Sequence, residues 1–372
     1  MADIYVATTG ADTNAGTQGS PYLTITKAST VAVAGDTVHV APGNYPGGFT
    51  TNANGTSGSF ITYVSDTKWG AVIVPPASAS VRSAWSNNGD YVEIKDFEVD
   101  GTNYISGLAW WIGLRSTGIG SIINGNHVHD IALDPAECQS NGGGGIVVGA
   151  GWQQPIHVIN NVVHDIGQPY VDEIDRCIWF HGIYFQCAGT IKNNVCYANG
   201  YGGITLSHDA YDIDVANNTL VANGTGIHIN GAGFVDNTTG LIDFINCSNN
   251  IGAFAKRYCI RNASNIGNNN TYTNNLSYQN DLGDLSVQNA TPTGTLTSNP
   301  LFTDAANHDY TLQAGSPAIN SGLSTYAPTT DINGVSRPQG TSVDRGAYEL
   351  ITNLITNRHV GASARTRKRL LG

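Results

Sequence analysis

Histidine, tyrosine and arginine side chains in the middle of the chain have the chemistry of acid–base catalysis. His181, Tyr184 and Arg176 lie close together in sequence, and His208 follows one repeat later. An imidazole can accept a proton, a phenol can return it, and a guanidinium can neutralise a carboxylate without a metal ion. The four residues predict a catalytic site for elimination next to a carboxylate. Ordinary polar residues on the outer face of a sheet are the alternative interpretation.

Polar and aromatic residues near this set predict contacts with a substrate. They are Asp172, Glu173, Asp175, Asp209, Thr205, His228, Trp110 and Trp111. The acidic run 172–175 lies in a long insertion before a strand, where functional loops often occur, although a solvated loop would look the same. The site needs no cofactor, and the acidic run leaves Ca²⁺ as an option. At most one of the two adjacent tryptophans should be exposed, because successive strand residues face opposite sides.

A second column of polar residues is a weaker candidate for a functional site. His157, Thr190 and Asp214 fall at equivalent positions of successive repeats, and Lys192 lies nearby.

These residues are positioned by a repeat of asparagine pairs. The second position recurs 24 to 35 residues after the last, at Asn126, Asn161, Asn194, Asn218, Asn250 and Asn275, and Gly125 takes the place of the first asparagine in the first repeat. Self-similarity of this period indicates a solenoid. Asparagine tolerates the left-handed conformation of a sharp bend, and stacked asparagines can bond along the column, each bond contributing roughly 0.5–1.5 kcal/mol. The pairs are therefore expected to be scaffold.

Gly-Ile strands form a second repeat between the pairs. They start at Gly145, Gly182, Gly203 and Gly226. The alternation of a strand predicts an inward set comprising Ile183, Phe185, Ile204, Leu206, Ile227 and Ile229. Tyr184, Thr205 and His228 should then share one outward column, with neighbours about 4.8 Å apart.

The predicted fold is all-β: a single-stranded right-handed parallel β-helix with a short N-terminal cap helix and an irregular C-terminal cap. Four regions are expected: 1–35 for the first strand and cap helix, 36–298 for the β-helix, 299–350 for the C-terminal cap and 351–372 for a basic tail. Within them we expect a helix over 21–33 and strands over 37–40, 60–64 and 91–99. The helix should shield an open strand edge from aggregation.

Charge and composition limit the classes of partner that the chain can have. The net charge of −11 disfavours nucleic acid, since phosphate contacts need clustered Lys and Arg. Five Lys or Arg residues and no acid follow Glu349, so residues 351–372 are predicted to be an assembly arm for a virion or homo-oligomer partner.

No apolar run is long enough to cross a membrane, and the chain begins without a signal peptide, which predicts a virion or extracellular location. Most of the six cysteines should be buried and apolar in behaviour.

Segments at both ends of the solenoid resemble bacterial and phage pectate-lyase-like β-helix proteins. The opening segment has Ile4-Tyr5-Val6-Ala7, Asn14-Ala15-Gly16-Thr17, Pro21, Lys27-Ala28 and Gly35-Asp36-Thr37-Val38. The closing segment has Asn299-Pro300-Leu301-Phe302, Asp309-Tyr310, Gly315-Ser316-Pro317-Ala318, Arg337-Pro338-Gln339-Gly340 and Asp344-Arg345-Gly346-Ala347-Tyr348-Glu349.

The resemblance implies recognition of a polysaccharide, with lyases, epimerases and tailspike depolymerases among the group. We expect a surface-polysaccharide lyase or depolymerase of tailspike-like type, acting by β-elimination on a polymer that contains uronic acid. One alternative is a non-catalytic virion protein, a spike or decoration, that uses the β-helix as a rigid rod. Another is a secreted glycoside hydrolase or uronan epimerase, although the Asp pairs and Gly-His-Gly segment of polygalacturonase-like hydrolases are absent from the sequence.

Overall fold

The computed structural model describes residues 1–77, 82–105, 108–134, 142–149, 155–169, 179–230 and 241–351. Several predicted features lie outside this part of the chain: Arg176, Asp172, Glu173, Asp175, Cys138, Cys177 and the tail 352–372.

Three parallel sheets run the length of the solenoid, and successive coils add one strand to each. The first sheet contains β1 (Asp3–Val6), β2 (Thr37–Val40), β5 (Ile61–Ser65), β8 (Val92–Lys95), β11 (Ile122–Asn124), β14 (Ile156–Ile159), β17 (Gly189–Lys192), β20 (Ile213–Ala216), β23 (Ile245–Ser248) and β26 (Thr271–Thr273). The second contains β4 (Phe49–Thr51), β7 (Ser83–Asn87), β10 (Ile112–Ser116), β13 (Gly143–Val148), β16 (Phe180–Phe185), β19 (Gly202–Ser207), β22 (Thr225–Asn230), β25 (Tyr258–Asn262) and β28 (Gly283–Ser286). The third contains β3 (Gly43–Pro46), β6 (Ala71–Val74), β9 (Glu98–Asp100), β12 (His127–Ile131), β15 (Val162–Ile166), β18 (Val195–Tyr197), β21 (Thr219–Val221), β24 (Ile251–Ala253) and β27 (Leu276–Tyr278). The predicted parallel β-helix is confirmed.

The asparagine pairs form the corner between the first and third sheets. In Asn160, Asn193, Asn217, Asn249 and Asn274 the backbone is left-handed, with φ between 51° and 59°. The second asparagines are fully buried and stack in one column. Asn194 is typical, because its Nδ2 donates to Oδ1 of Asn218 at 3.0 Å while its own Oδ1 accepts from Nδ2 of Asn161 at 3.0 Å. The predicted scaffold role is confirmed.

The interior of the solenoid is apolar. All six residues predicted to point inward on the second sheet have no exposed surface. Burying one such side chain contributes about 1.5–3 kcal/mol, so the repeating core dominates the stability of the coils. Within the described residues the four cysteines, Cys187, Cys196, Cys247 and Cys259, are free and buried, as predicted.

Two local predictions need correction. Residues 91–99 are not one strand, because Asp96 adopts φ 62° and turns the chain between β8 and β9. The cap helix α1 spans only Ile25–Ser29, after the N-cap Thr24. Ile25 is buried as expected, whereas Val33 lies beyond the helix and is 62% exposed. The buried positions change phase at this corner, from Val92 and Ile94 to Phe97 and Val99. An alternating pattern of apolar residues therefore does not by itself mean one continuous strand.

The segment after residue 299 is largely irregular, as predicted. It contains β29 (Phe302–Asp304), a 3₁₀ turn at Ala305–Asn307 and β30 (Asp309–Leu312), with the two strands antiparallel. It packs along the outer face of the third sheet, where Phe302, Leu312 and Ala347 join one apolar cluster with Val221 and Ile251. In the described part of the chain, no helix is long and apolar enough to span a membrane.

Candidate functional site

One outward column of the second sheet carries the predicted site. The strand register aligns Arg115, Val147, Tyr184, Thr205, His228 and Arg261, in that order along the solenoid. The predicted neighbours Tyr184, Thr205 and His228 therefore occupy consecutive rungs. Inward residues on either side of the column are fixed in the core, so its outward side chains are held on a rigid surface.

His181, Tyr184 and His208 lie together in a cleft of about 160 Å³ on this face. His181 is within β16 rather than before it, and its ring stacks on Tyr184 with centroids 4.8 Å apart. Nδ1 of His181 lies 2.9 Å from Oγ1 of Thr205. The ring of His208 meets Tyr184 edge-on at 6.0 Å, from a left-handed backbone position after β19. Asp209 is buried in the same turn.

Burial controls the protonation of these groups. The pKa of His181 falls to about 3, first because the ring is buried and second because His228 is near. Burial also lowers the pKa of His228 to about 3, with Arg261 and Arg257 adding to the effect. Both imidazoles are therefore uncharged at neutral pH. Burial raises the pKa of Tyr184, so its phenol keeps its proton.

His228 has an unusual buried nitrogen. The residue is 4% exposed and lines the cleft, and among the described residues its Nδ1 has no hydrogen-bond partner. A buried polar atom left in this way is costly unless something else bonds to it. The imidazole of His228 therefore keeps a hydrogen-bonding capacity that its protein neighbours do not use.

Sequence reasoning missed Tyr201, which lines the cleft, and two arginines next to the cleft. Tyr201 lies edge-on to His228 at 5.1 Å, and Nη1 of Arg257 donates to its hydroxyl at 3.1 Å. Arg261 lies one rung beyond His228. A signal for Arg261 exists, because Cys259 replaces the glycine of the Gly-Ile repeat and the register continues. Tyr201 and Arg257 lie outside the strands, where the repeat carries no information.

The other predicted residues lie elsewhere. Trp110 is 2% exposed and packs in the core, so it has no ring face to offer a sugar. Trp111 is half-buried, with the guanidinium of Arg82 4.7 Å above its ring.

The weaker column is on the first sheet. Nδ1 of His157 lies 2.9 Å from Oγ1 of Thr190, and Lys192 pairs with Asp214 at 3.3 Å.

A histidine–carboxylate cluster on the outer face of the third sheet was not predicted. Here β9, β12 and β15 align Glu98 with His127, and Asp100 with His129 and His164. Nε2 of His129 lies 3.1 Å from Oε1 of Glu98, and its Nδ1 lies 2.7 Å from Oδ2 of Asp130. Glu98, His127 and His129 can each present a ligand atom within 4.8 Å of the others, as can Asp100, His129 and Asp130. The repeated Val-His-Asp-Ile at 128–131 and 163–166 was the available signal.

Comparisons with known proteins agree with this architecture. A family model described as a protein of unknown function (DUF1565) matches residues 8–50. No curated protein sequence matches the chain significantly. The structure of pectate lyase Pel9A is similar with a TM-score of 0.66 and 17% identity, over 94% of this chain and 96% of that one. The chain has the pectate-lyase-like β-helix fold. A rhamnogalacturonan lyase structure has a TM-score of 0.57 and 16% identity, over 80% of this chain and 87% of that one.

Proposed function

We propose that this β-helix protein acts on a polysaccharide containing uronic acid, and cleaves it by β-elimination in the cleft of the second sheet. The observation that carries the proposal is the buried, uncharged imidazole of His228, one rung from Arg261 and two from Tyr184. Two rungs span about 10 Å, which leaves room for one sugar ring between the two side chains. The fold shared with pectate and rhamnogalacturonan lyases supports a sugar polymer as the substrate.

The chemistry follows from the order of the column. Arg261 binds the carboxylate, which makes the neighbouring C–H bond more acidic. His228 is uncharged and has a lone pair to take that proton, and the bound carboxylate offsets the charge of Arg261, which otherwise helps to lower the pKa of this imidazole. The electron pair of the broken C–H bond forms a carbon–carbon double bond, and the glycosidic C–O bond at the next carbon breaks. Tyr184 donates its proton to the departing oxygen.

The remaining residues position the reacting groups. His181 stacks on Tyr184 and bonds to Thr205, while His208 closes the other side of the phenol. Asp209 lies in the turn that holds His208. The predicted catalytic set His181, Tyr184 and His208 thus stays part of the proposal, with His228 added as the base.

The test is incubation with uronic-acid polysaccharides while the ultraviolet absorbance of the unsaturated product is followed. We expect His228→Gln and Tyr184→Phe to lower the rate by about 10²–10⁴-fold, the usual range for loss of an acid or base. His157→Gln, on another sheet, is the matched control and should keep the rate. Cleavage that persists at the original rate in both cleft variants would place the reaction elsewhere.

The same experiment addresses the non-catalytic alternative. A polymer that binds without any cleavage, and loses affinity in Arg261→Gln, would favour a binding surface on a rigid rod. A virion setting and the role of the basic tail stay predictions, to be tested by truncation after Leu350 and measurement of the assembly state.

A further inference from the structure

The histidine–carboxylate cluster of the third sheet is separate from the cleft and plays no part in the proposed elimination. Three imidazoles and four carboxylates meet there: His127, His129, His164, Glu98, Asp100, Asp130 and Asp165. The side chains of His129 and Glu98 are 12% and 25% exposed, so the site opens to solvent on one side. An excess of carboxylates over cations makes this surface attractive to a positive ion.

Neighbouring carboxylates fix the imidazole tautomers. Nδ1 of His129 donates to Asp130 at 2.7 Å, and Nδ1 of His164 donates to Asp165 at 2.6 Å. In both rings Nε2 is the nitrogen turned away from the neighbouring aspartate. In His129 it faces Oε1 of Glu98, where a bound cation would replace the proton between the two atoms. This carboxylate–histidine arrangement is the usual outer shell of a metal-binding histidine, since it sets ring orientation and strengthens the donor nitrogen.

The donor atoms already lie close to the spacing that a small ion needs. With metal–nitrogen bonds of 2.0–2.1 Å, tetrahedral ligands lie about 3.3 Å apart. Nε2 of His129 and Oε1 of Glu98 are 3.1 Å apart. Nε2 of His127 lies 2.8 Å from Nε2 of His164, a pair that can share only one proton. Small ring movements on rigid strands would aim these lone pairs at one ion.

We propose that Glu98, His127 and His129 form a binding site for a divalent transition-metal ion of the Zn²⁺ class, with His164 beside the open coordination position. Imidazole nitrogen and carboxylate oxygen suit Zn²⁺, Co²⁺ or Ni²⁺. Ca²⁺ prefers six to eight oxygen ligands, whereas each group of converging ligand atoms in this cluster includes an imidazole nitrogen. The ion would link β9 to β12 on the solvent-facing side of the third sheet, away from the apolar core.

The experiment titrates the full-length protein, stripped with a chelator, with Zn²⁺, Co²⁺ and Ca²⁺. Calorimetry gives stoichiometry and affinity, and visible absorption of Co²⁺ reports the ligand geometry. We expect a Zn²⁺ ion bound at this site, a raised unfolding temperature with Zn²⁺, and no response to Ca²⁺. Glu98→Gln and His129→Gln should each weaken the Zn²⁺ affinity of the site by about 100-fold or more.

Milder variants keep the result interpretable if a ligand variant fails to fold. Asp130→Asn retains a residue that tolerates the left-handed backbone at this position, where φ is 58°. It should weaken Zn²⁺ binding about 10–100-fold, the usual effect of losing an outer-shell carboxylate. His39→Gln is the matched control, because His39 also lies between two carboxylates, Asp3 and Asp66, on the first sheet.

Two results would overturn the assignment. One is the absence of any Zn²⁺ site that Glu98→Gln or His129→Gln weakens. The other is loss of the ion in Asp100→Asn with retention in Glu98→Gln, which would move it to the opposite side of His129. An unchanged affinity in Asp100→Asn and His39→Gln, with loss in the ligand variants, supports the site as proposed.

Discussion

Burial of imidazoles is the strongest chemical signal at the level of single residues. His181 and His228 are each about 5% exposed or less, and both face outward on a sheet whose cleft is narrow. Charging a buried imidazole requires desolvation of a cation, so the rings stay neutral well below the ordinary pKa. The neutral rings can accept hydrogen bonds or a proton at neutral pH. Their lowered pKa values also make the free energy of unfolding depend on pH.

Stability should fall as the pH is lowered from about 6.5. The unfolded histidines gain protons near 6.5 while the folded ones do so only near 3, so protons favour the unfolded state between these values. Each histidine then removes up to about 1.4 kcal/mol per pH unit from the free energy of unfolding. Urea unfolding of the wild type and of a His181→Gln/His228→Gln variant at pH 7 and 5 measures the difference. Equal losses in the two proteins would contradict it.

Arg261 should determine the affinity for acidic polymers. Arg261→Gln is expected to raise KM by about tenfold or more, because a charge-assisted contact contributes roughly 1.5–3 kcal/mol. Arg115→Gln is a matched control, since Arg115 occupies the same column four rungs from His228. The measurement is initial rate against polymer concentration. Equal effects of the two substitutions would remove the special role of Arg261.

At the level of secondary structure, the asparagine column ties neighbouring coils together. Oδ1 of Asn194 accepts from both the backbone N–H and Nδ2 of Asn161, while its own Nδ2 reaches the carbonyl of Val158 at 2.9 Å. Every one of these groups is buried at a corner where the strands leave backbone atoms without ladder partners. The asparagine side chain thus supplies the hydrogen bonds that a neighbouring strand would otherwise make at this corner.

Asn194→Ala should lower the free energy of unfolding by about 3 kcal/mol or more. Two buried donors of Asn161, its backbone N–H and Nδ2, lose their acceptor, each at a cost of about 1–3 kcal/mol. Asn160→Gly serves as the control, because glycine keeps the left-handed turn and Asn160 is partly exposed. It should cost about 1 kcal/mol. Chemical denaturation compares the two, and a similar loss in both would show that the turn, not the column, matters.

At the level of the whole molecule, the segment 299–350 braces the side of the solenoid. Arg345 donates from Nη1 to the carbonyls of Asn275 and Gly294, and Asn217 donates to the carbonyl of Asp344. The segment is held internally by Arg337 and Glu349, which pair at 2.8 Å with no exposed side-chain surface. It therefore covers part of the third sheet, and His308 stacks on Tyr197 at the border of the histidine cluster.

Glu349→Gln should loosen this segment. Removing one partner of a buried ion pair typically costs about 3–5 kcal/mol, because the other charge is left uncompensated. Limited proteolysis should then cut within 299–350 while the coils resist. Asp281→Asn is the control, since it breaks an exposed pair with Lys256 whose contribution is small. Identical digestion patterns for Glu349→Gln and the wild type would contradict the bracing role.

The sequence by itself determined the coils. Stacked repeats place equivalent residues one rung apart, so the pairing of Tyr184 with Thr205 and His228, and the column of second asparagines, could be predicted from spacing alone. The Gly-Ile repeat located the strand at Gly182–Phe185 to within two residues, and the strand expected at Thr37–Val40, outside the repeats, is confirmed as well.

Only the tertiary structure decided which residues the irregular segments contact and which groups are buried. Tyr201 contacts His228 from outside the strands and Arg257 bonds to Tyr201. The corner at Asp96 divides an alternating run, and the closing segment packs on the third sheet. None of these follows a period, since each depends on contacts between residues far apart in sequence. Protonation has the same origin, because the pKa of an imidazole depends on the burial and charges around it rather than on its neighbours in the chain.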